Sequence, residues 1–234
     1  MKAWIFAREA KASVPGFFRK RGKNAWRIDG KNHRIHSNFG FAEVRVQTKP
    51  DGTPDFDRAV YGESPSINAV AYGIDADGIY RVLVVFQERP FADMPDGVPA
   101  DPPIVFGQPC VMAFNADKAE TMVATAIREL EEEGGAGSKA LISSADKMGH
   151  HNPNPTFVVT WSELFEIRVD LNKVGIPTDT EERIKGTAWL PIREVLERIG
   201  NGEHSGINYR NATANDTLFV WLARHPEALV QVTN

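Results

Sequence analysis

The stretch Glu120-Thr121-Met122-Val123-Ala124-Thr125-Ala126-Ile127-Arg128-Glu129-Leu130-Glu131-Glu132-Glu133-Gly134-Gly135 decides how this chain is read. Its spacing predicts a helix from about Asp117 or Glu120 to Glu133, closed by two glycines able to take the positive φ of a C-terminal cap. At about 100° per residue, Val123, Ala126, Ile127 and Leu130 gather on one side, and Glu129, Glu132 and Glu133 gather on another. The acids are therefore expected at the rim of the core, with Glu131 in solvent. Four carboxylates near a helix C-terminus face the negative end of the macrodipole, at about 0.3–1 kcal/mol each. A divalent cation would offset that charge, because Mg²⁺ and Mn²⁺ favour carboxylate oxygen and can bridge to phosphate.

Before the helix the pattern is that of strands. Ala42, Val44 and Val46 alternate with polar residues up to the turn at Lys49-Pro50-Asp51-Gly52. Ser66–Ile74 and Arg81–Phe86 flank Asp75-Ala76-Asp77-Gly78 as a hairpin whose return strand stops at Pro90. Residues 91 to 103 read as a proline-rich loop, and Ile104–Phe106 and Cys110–Phe114 as short strands. After the helix, His150-His151-Asn152-Pro153 reads as loop, Thr156–Val169 as a strand or strand pair, and Ile184–Leu190 as another strand. Pro191-Ile192 opens a helix through Val195, Leu196 and Ile199 that Gly200–Gly202 ends, and a last helix starts near Thr213 or Asn215 and stops before Pro226. This order gives an α/β fold of the α+β type, a mixed sheet with helices on its faces. Residues 1-65 form an N-terminal extension with an added strand or two, and 66-234 the main domain.

Composition narrows the function. The chain has 234 residues, 42% hydrophobic and 25% charged, with a formal net charge of -4, which argues against a nucleic-acid or membrane-surface partner. The lone Cys110 excludes an internal disulfide and fits a reducing compartment; its side chain is expected to serve as a small buried hydrophobe. No signal-peptide core and no apolar run of membrane-spanning length stands out, so a cytoplasmic protein is expected. The basic run Arg19-Lys20-Arg21-Gly22-Lys23 reads as a solvated segment or, beside Phe17 and Phe18, as a phosphate or base contact.

The helix resembles the signature of the Nudix hydrolase family: Gly, five residues, Glu, seven residues, Arg-Glu, an aliphatic, any residue, Glu-Glu, any residue, Gly and a final aliphatic. Glu120, Arg128, Glu129, Leu130, Glu132, Glu133 and Gly135 stand at its places, whereas Phe114 stands where the opening glycine belongs. Val84-Val-Phe-Gln87-Glu-Arg89-Pro90, Glu182-Arg183-Ile184, Trp189-Leu190-Pro191-Ile192 and Glu194-Val195-Leu196 are similar to the ADP-ribose pyrophosphatase branch. The resemblance implies a Nudix-like mixed sheet between helices over about 66 to 225. It also implies Mg²⁺ (or Mn²⁺) on Glu132 and Glu133 with Glu129 as third ligand or helper, and Arg128 orienting Glu129 and pairing with Glu120. A glutamate before the closing strand, Glu182 or Glu181, would be the base, with Glu129 as the other candidate. Glu120 also fits a first-turn acid favoured by the dipole. Arg89 reads as a phosphate ligand or as an exposed strand-end residue.

The expected activity is metal-dependent hydrolysis of the diphosphate linkage of a nucleoside diphosphate derivative such as ADP-ribose. In the resembling branch added N-terminal strands help build a homodimer, so a dimer is expected on resemblance. The competing reading is a Nudix-fold nucleotide-binding or regulatory module that does not hydrolyse, to which Phe114 points.

Overall fold

The computed structural model describes residues 34–36, 40–48, 54–63, 65–89, 103–114, 120–134, 142–152, 161–173 and 183–233. The chain divides into two compact units, one of Met1–Ser64 with Asn152–Thr160 and the other of Pro65–His151 with Trp161–Asn234. In the first, β1 (Arg34–His36), β2 (Gly40–Thr48) and β3 (Pro54–Glu63) form an antiparallel sheet in that order. β2 is the strand marked by Ala42, Val44 and Val46.

The second unit carries a nine-stranded mixed sheet. Its strands are β4 (Ser66–Ile74), β5 (Tyr80–Arg89), β6 (Ile104–Gln108), β7 (Val111–Phe114), β8 (Ile142–His151), β9 (Ser162–Val169), β10 (Ile184–Pro191), β11 (Glu203–His204) and β12 (Ile207–Asn208). Its helices are α1 (Met122–Gly134), α2 (Ile192–Asn201), α3 (Ala212–Arg224) and α4 (Pro226–Thr233). Among the described residues no helix is long and apolar enough to cross a membrane.

The β4–β5 hairpin turns where Asp75 Oδ1 accepts from the Asp77 and Ile79 amides at 3.0 and 2.9 Å, and Gly78 takes φ 77°. Its strands pair only at Tyr72↔Val82, Gly73↔Arg81 and Ile74↔Tyr80 before they separate. Into the gap run β6, which pairs with the far half of β5 (Val85↔Gln108), and β7, which pairs with the start of β4 (Ala69↔Val111). The free edge of β4 takes β9 in parallel, and the free edge of β5 takes β10 antiparallel.

Strand alternation sends consecutive side chains to opposite faces, and each face has its own core. Ile67, Ala69, Ala71, Leu83 and Val85 meet Ala126 and Leu130 of α1, while Val70, Tyr72, Val82 and Val84 meet Val195 of α2, Leu218 and Trp221 of α3 and Ala228 of α4. The sheet is thus sandwiched between α1 and the other three helices. His225, at the end of α3, ties that layer to β9: its Nε2 lies 2.6 Å from Glu166 Oε2 and its Nδ1 3.0 Å from Glu227 Oε1.

Several expectations change. α1 begins at Met122, after Thr121, whose hydroxyl accepts from the Ala124 amide at 3.3 Å as an N-cap. Gly134 closes the helix without a positive φ. Its role is close approach, since a Cβ there would lie 2.8 Å from Leu83 Cδ2. Gly135 lies outside the described residues. His150 and His151 belong to β8, an edge strand with no fully buried residue and two register irregularities, so it carries no apolar alternation to betray it. Pro226 opens α4 instead of ending the helical region, as a proline at the first helical position can. Only Ser162–Val169 of the long apolar run is described strand, and the loop at 91–102 and the basic run 19–23 lie outside the described residues.

Gly107 tests the packing of the α3 side. A Cβ there would sit 2.5 Å from the ring of Tyr209, which is fully buried and whose hydroxyl accepts from Arg198 Nη1 at 2.6 Å. The ring cannot retreat without breaking that bond, so Gly107→Ala is expected to cost about 1–3 kcal/mol, read as a lowered urea midpoint at unchanged slope.

Candidate active site

The acids of α1 lie deeper than the rim. Glu129 and Glu133, one helical turn apart, are 5% and 2% exposed, while Glu132 stays half-exposed. The helix meets the sheet across the strip that includes both acids, because Ala126 and Leu130 face the core beside them and residues four apart share a face. The expectation of acids outside the core holds only for Glu132. Burying carboxylates in apolar surroundings costs several kcal/mol each unless partners satisfy them.

Arg128 is the described partner of Glu129. Its Nη1 donates to Glu129 Oε1 at 2.5 Å and to Glu132 Oε2 at 2.9 Å, and its Nε and Nη2 reach the two oxygens of Glu120 at 3.3 Å each. Thr125 Oγ1 donates to Glu120 Oε2 at 2.9 Å. Burial works against the Arg128 charge, but the hydrogen bond to Glu120 and the charges of Glu129 and Glu132 outweigh it and hold its pKa above the usual guanidinium value. Pairing of Arg128 with Glu120 and Glu129 agrees with the sequence expectation.

A second group closes the open end of the β4–β5 split. Arg89, the last residue of β5, donates from Nη2 to Gln108 Oε1 at 3.0 Å, and Gln108 Nε2 donates to Gln87 Oε1 at 2.8 Å. Asn211 Nδ2 donates to the same Gln108 oxygen at 2.7 Å. Cys110, just beyond Gln108, packs in the opposite core with Val70 and Leu218; its thiol is pushed up by burial and further by the charge of Glu133, while Arg89 acts in the opposite sense. Cys110 itself is 1% exposed and stays protonated, the small buried hydrophobe that its sequence context predicts.

No protein-family model matches the chain, and no curated protein matches it in sequence. Its chemistry therefore rests on the side chains themselves.

Glu181 and Glu182 lie outside the described residues, but the next residue is informative. Arg183 takes φ 58°, rare for a side chain with a Cβ, and its Nη1 holds Glu88 Oε1 at 2.7 Å while Lys185 Nζ holds Glu88 Oε2 at 2.6 Å. These bonds, Lys185 first, keep the Glu88 carboxyl below the ordinary range. The start of β10 is therefore pinned beside Arg89. Phe114 is the last residue of β7, in register with Ser66, so the position that the family pattern gives to a flexible glycine is extended strand here.

Glu129, Glu132 and Glu133 are an all-oxygen donor set, which suits Mg²⁺ or Mn²⁺. Among the described residues no three His, Cys, Asp or Glu are arranged to hold a metal ion unaided. That is compatible with Mg²⁺, which commonly takes one or two carboxylates and completes its shell with waters and substrate phosphates. A surface depression on α2, lined by Arg193, Glu194, Glu197, Arg198 and His204 among others, is a weaker candidate. Its arginines are already bonded to Glu197 and Glu194 one turn away on the same helix.

Thr125, Gln108 and Asn211 are site residues that the sequence pattern does not single out. Thr125 carries a signal, since it stands three residues before Arg128 on the same helical face; Gln108 and Asn211 meet only through tertiary structure.

Arg128→Met removes the donors while keeping much of the stem. Because the Arg128 side chain is 39% exposed and Glu129 only 7%, the expected loss is about 1–3 kcal/mol, below the figure for a fully buried pair. Adding Glu129→Gln should recover part of it, a coupling that urea unfolding of the double-mutant cycle would read.

Proposed function

We propose that the protein is a Nudix-type, metal-dependent hydrolase of the diphosphate linkage in a nucleoside diphosphate derivative, with ADP-ribose-like compounds the leading substrates. The observation that carries this reading is the pair of buried carboxylates, Glu129 and Glu133, one turn apart on α1, with Arg128 linking Glu129 to Glu120 and Glu132. Buried acids of one sign, gathered at a helix end whose dipole opposes them, suit a cation.

Mg²⁺ or Mn²⁺, held by Glu132 and Glu133 with Glu129, would neutralise diphosphate charge and acidify a bound water. Arg128 fixes the carboxylate of Glu129 and so sets the direction in which its other oxygen points. Arg89 offers a planar, bidentate donor to a phosphate oxygen pair. Glu181 and Glu182 are the candidate bases that the family resemblance suggests, and Glu129 is the alternative base.

One observation favours a second reading, a nucleotide-binding or regulatory module without hydrolysis. Phe114 is committed to strand pairing with Ser66, so a glycine-like backbone conformation is denied at that position.

The test is AMP release from a panel of nucleoside diphosphate derivatives with Mg²⁺, comparing wild type with Glu132→Gln and Glu133→Gln. The hydrolase reading expects a metal-dependent rate that falls by about 100-fold or more in either variant. Equal, metal-independent background in all three would end it. Millimolar Mn²⁺ should raise the wild-type melting temperature and not that of Glu133→Gln, since only a native-state site is stabilised by the ion. A metal-induced shift without AMP release selects the binding module.

A further inference from the structure

Gln108 and Gln87 are 2% and 4% exposed, and neither amide belongs in an apolar interior without partners. Gln108 has three. Its Nε2 donates to Gln87 Oε1, and its Oε1 accepts from both Arg89 Nη2 and Asn211 Nδ2 at 2.8, 3.0 and 2.7 Å. The amide has one workable orientation, because a flip would set its NH₂ against two other donors. Buried networks that are fully bonded fix one geometry more than they add stability.

Register shows where that geometry points. Gln108 pairs with Val85 on β5, and Val85 belongs to the core under α1. By the two-residue period of a strand, Gln87 and Arg89 follow Val85 on the α1 face, the face of Glu129 and Glu133.

Asn211 enters from the other side of the sheet. It is the N-cap of α3, with its Oδ1 accepting from the Ala214 amide at 3.2 Å, while its Nδ2 reaches Gln108. α3 packs through Leu218 and Trp221 on the opposite core. Its cap therefore reaches the α1 side through the split between β4 and β5.

We infer that Gln108 is a positioning residue that holds Arg89 toward the anionic group of the ligand, and that the cap residue Asn211 sets Gln108 in that orientation. The inference rests on the reading of α1 as a diphosphate site. Gln108 touches no reacting atom. It acts on affinity, by sparing the ligand the ordering of a long, rotamer-rich side chain.

Three variants separate this role from a structural one. Gln108→Met keeps length and loses the amide. Gln108→Glu keeps oxygen acceptors for Arg89 and Asn211, loses the donation to Gln87 and adds a negative charge beside the anionic ligand. Asn211→Asp keeps a good N-cap and replaces the donor facing Gln108 by an acceptor. The probe is the non-hydrolysable α,β-methylene analogue of ADP-ribose with Mg²⁺, titrated calorimetrically, with melting temperatures and steady-state kinetics on ADP-ribose in parallel.

The expected result is a Kd raised about 10-fold in Gln108→Met and Asn211→Asp, approaching that of Arg89→Ala, with KM rising in step and kcat within about threefold. Gln108→Glu keeps Arg89 in place but opposes the anionic ligand, so its Kd should rise without a proportionate fall in melting temperature. Wild-type affinity in Gln108→Met and Asn211→Asp beside weakened binding in Arg89→Ala overturns the inference and leaves the diphosphate site standing. Affinity that falls in all variants, Gln108→Glu included, in proportion to melting temperature also overturns it. A wild-type protein that neither binds the analogue nor hydrolyses ADP-ribose overturns the functional reading, and this inference with it.

Discussion

The early separation of β4 from β5 is the constraint on which the second unit depends. After three paired positions the two strands diverge, which leaves backbone donors and acceptors on facing edges that must be met. β6 and β7 meet them in turn, and the step between them, Pro109-Cys110, sits at the split. The layout of the site follows from this. β6 carries Gln108 to the end of β5, and β7 carries the chain on toward α1, with Cys110 at the step between the two strands. A hairpin paired along its full length would leave no place for these groups to meet.

Charge placement follows the same geometry. Helix α1 lies over Leu83 and Val85 closely enough that Gly134 approaches Leu83 without room for a side chain. That approach forces Glu129 and Glu133 out of solvent, and Arg128 eases the burial of Glu129 by spanning Glu120, Glu129 and Glu132. The guanidinium suits the task, because its planar fork serves several carboxylates at once where an ammonium would serve as a point charge. Arg89, drawn to neutral Gln108, works differently: an amide fixes its direction without adding an opposing charge of its own.

How much of this is legible in the sequence depends on where the information lies. α1, β4, β5 and α2 are readable because each is deeply packed on one face or both, so periodicity is strong; Ser66–Ile74 and Pro191-Ile192 fall at the observed boundaries. β8 is not readable, since an edge strand packs weakly on both sides and Ser143, Asp146 and His150 interrupt any alternation. The depth of Glu129 and Glu133 escapes the sequence for a related reason. A helical wheel ranks residues by chemistry, yet how far a face sinks is set by the neighbour it meets, and the small Gly134 that permits close approach reads as a cap.

The same distinction bears on function. Arg128, Glu129, Glu132 and Glu133 are neighbours in sequence, so a helix alone brings them together. Arg89, Gln108 and Asn211 are separated by long stretches of chain and meet only because the hairpin splits. A local motif can therefore mark the acids while saying nothing of the cation that faces them. An anionic ligand needs both, since carboxylates alone repel phosphate and even with a bound cation fix only one end of it. On the proposed function, affinity for a diphosphate would be a property of the split sheet, and the acidic helix would supply the site for the metal that such a ligand would share.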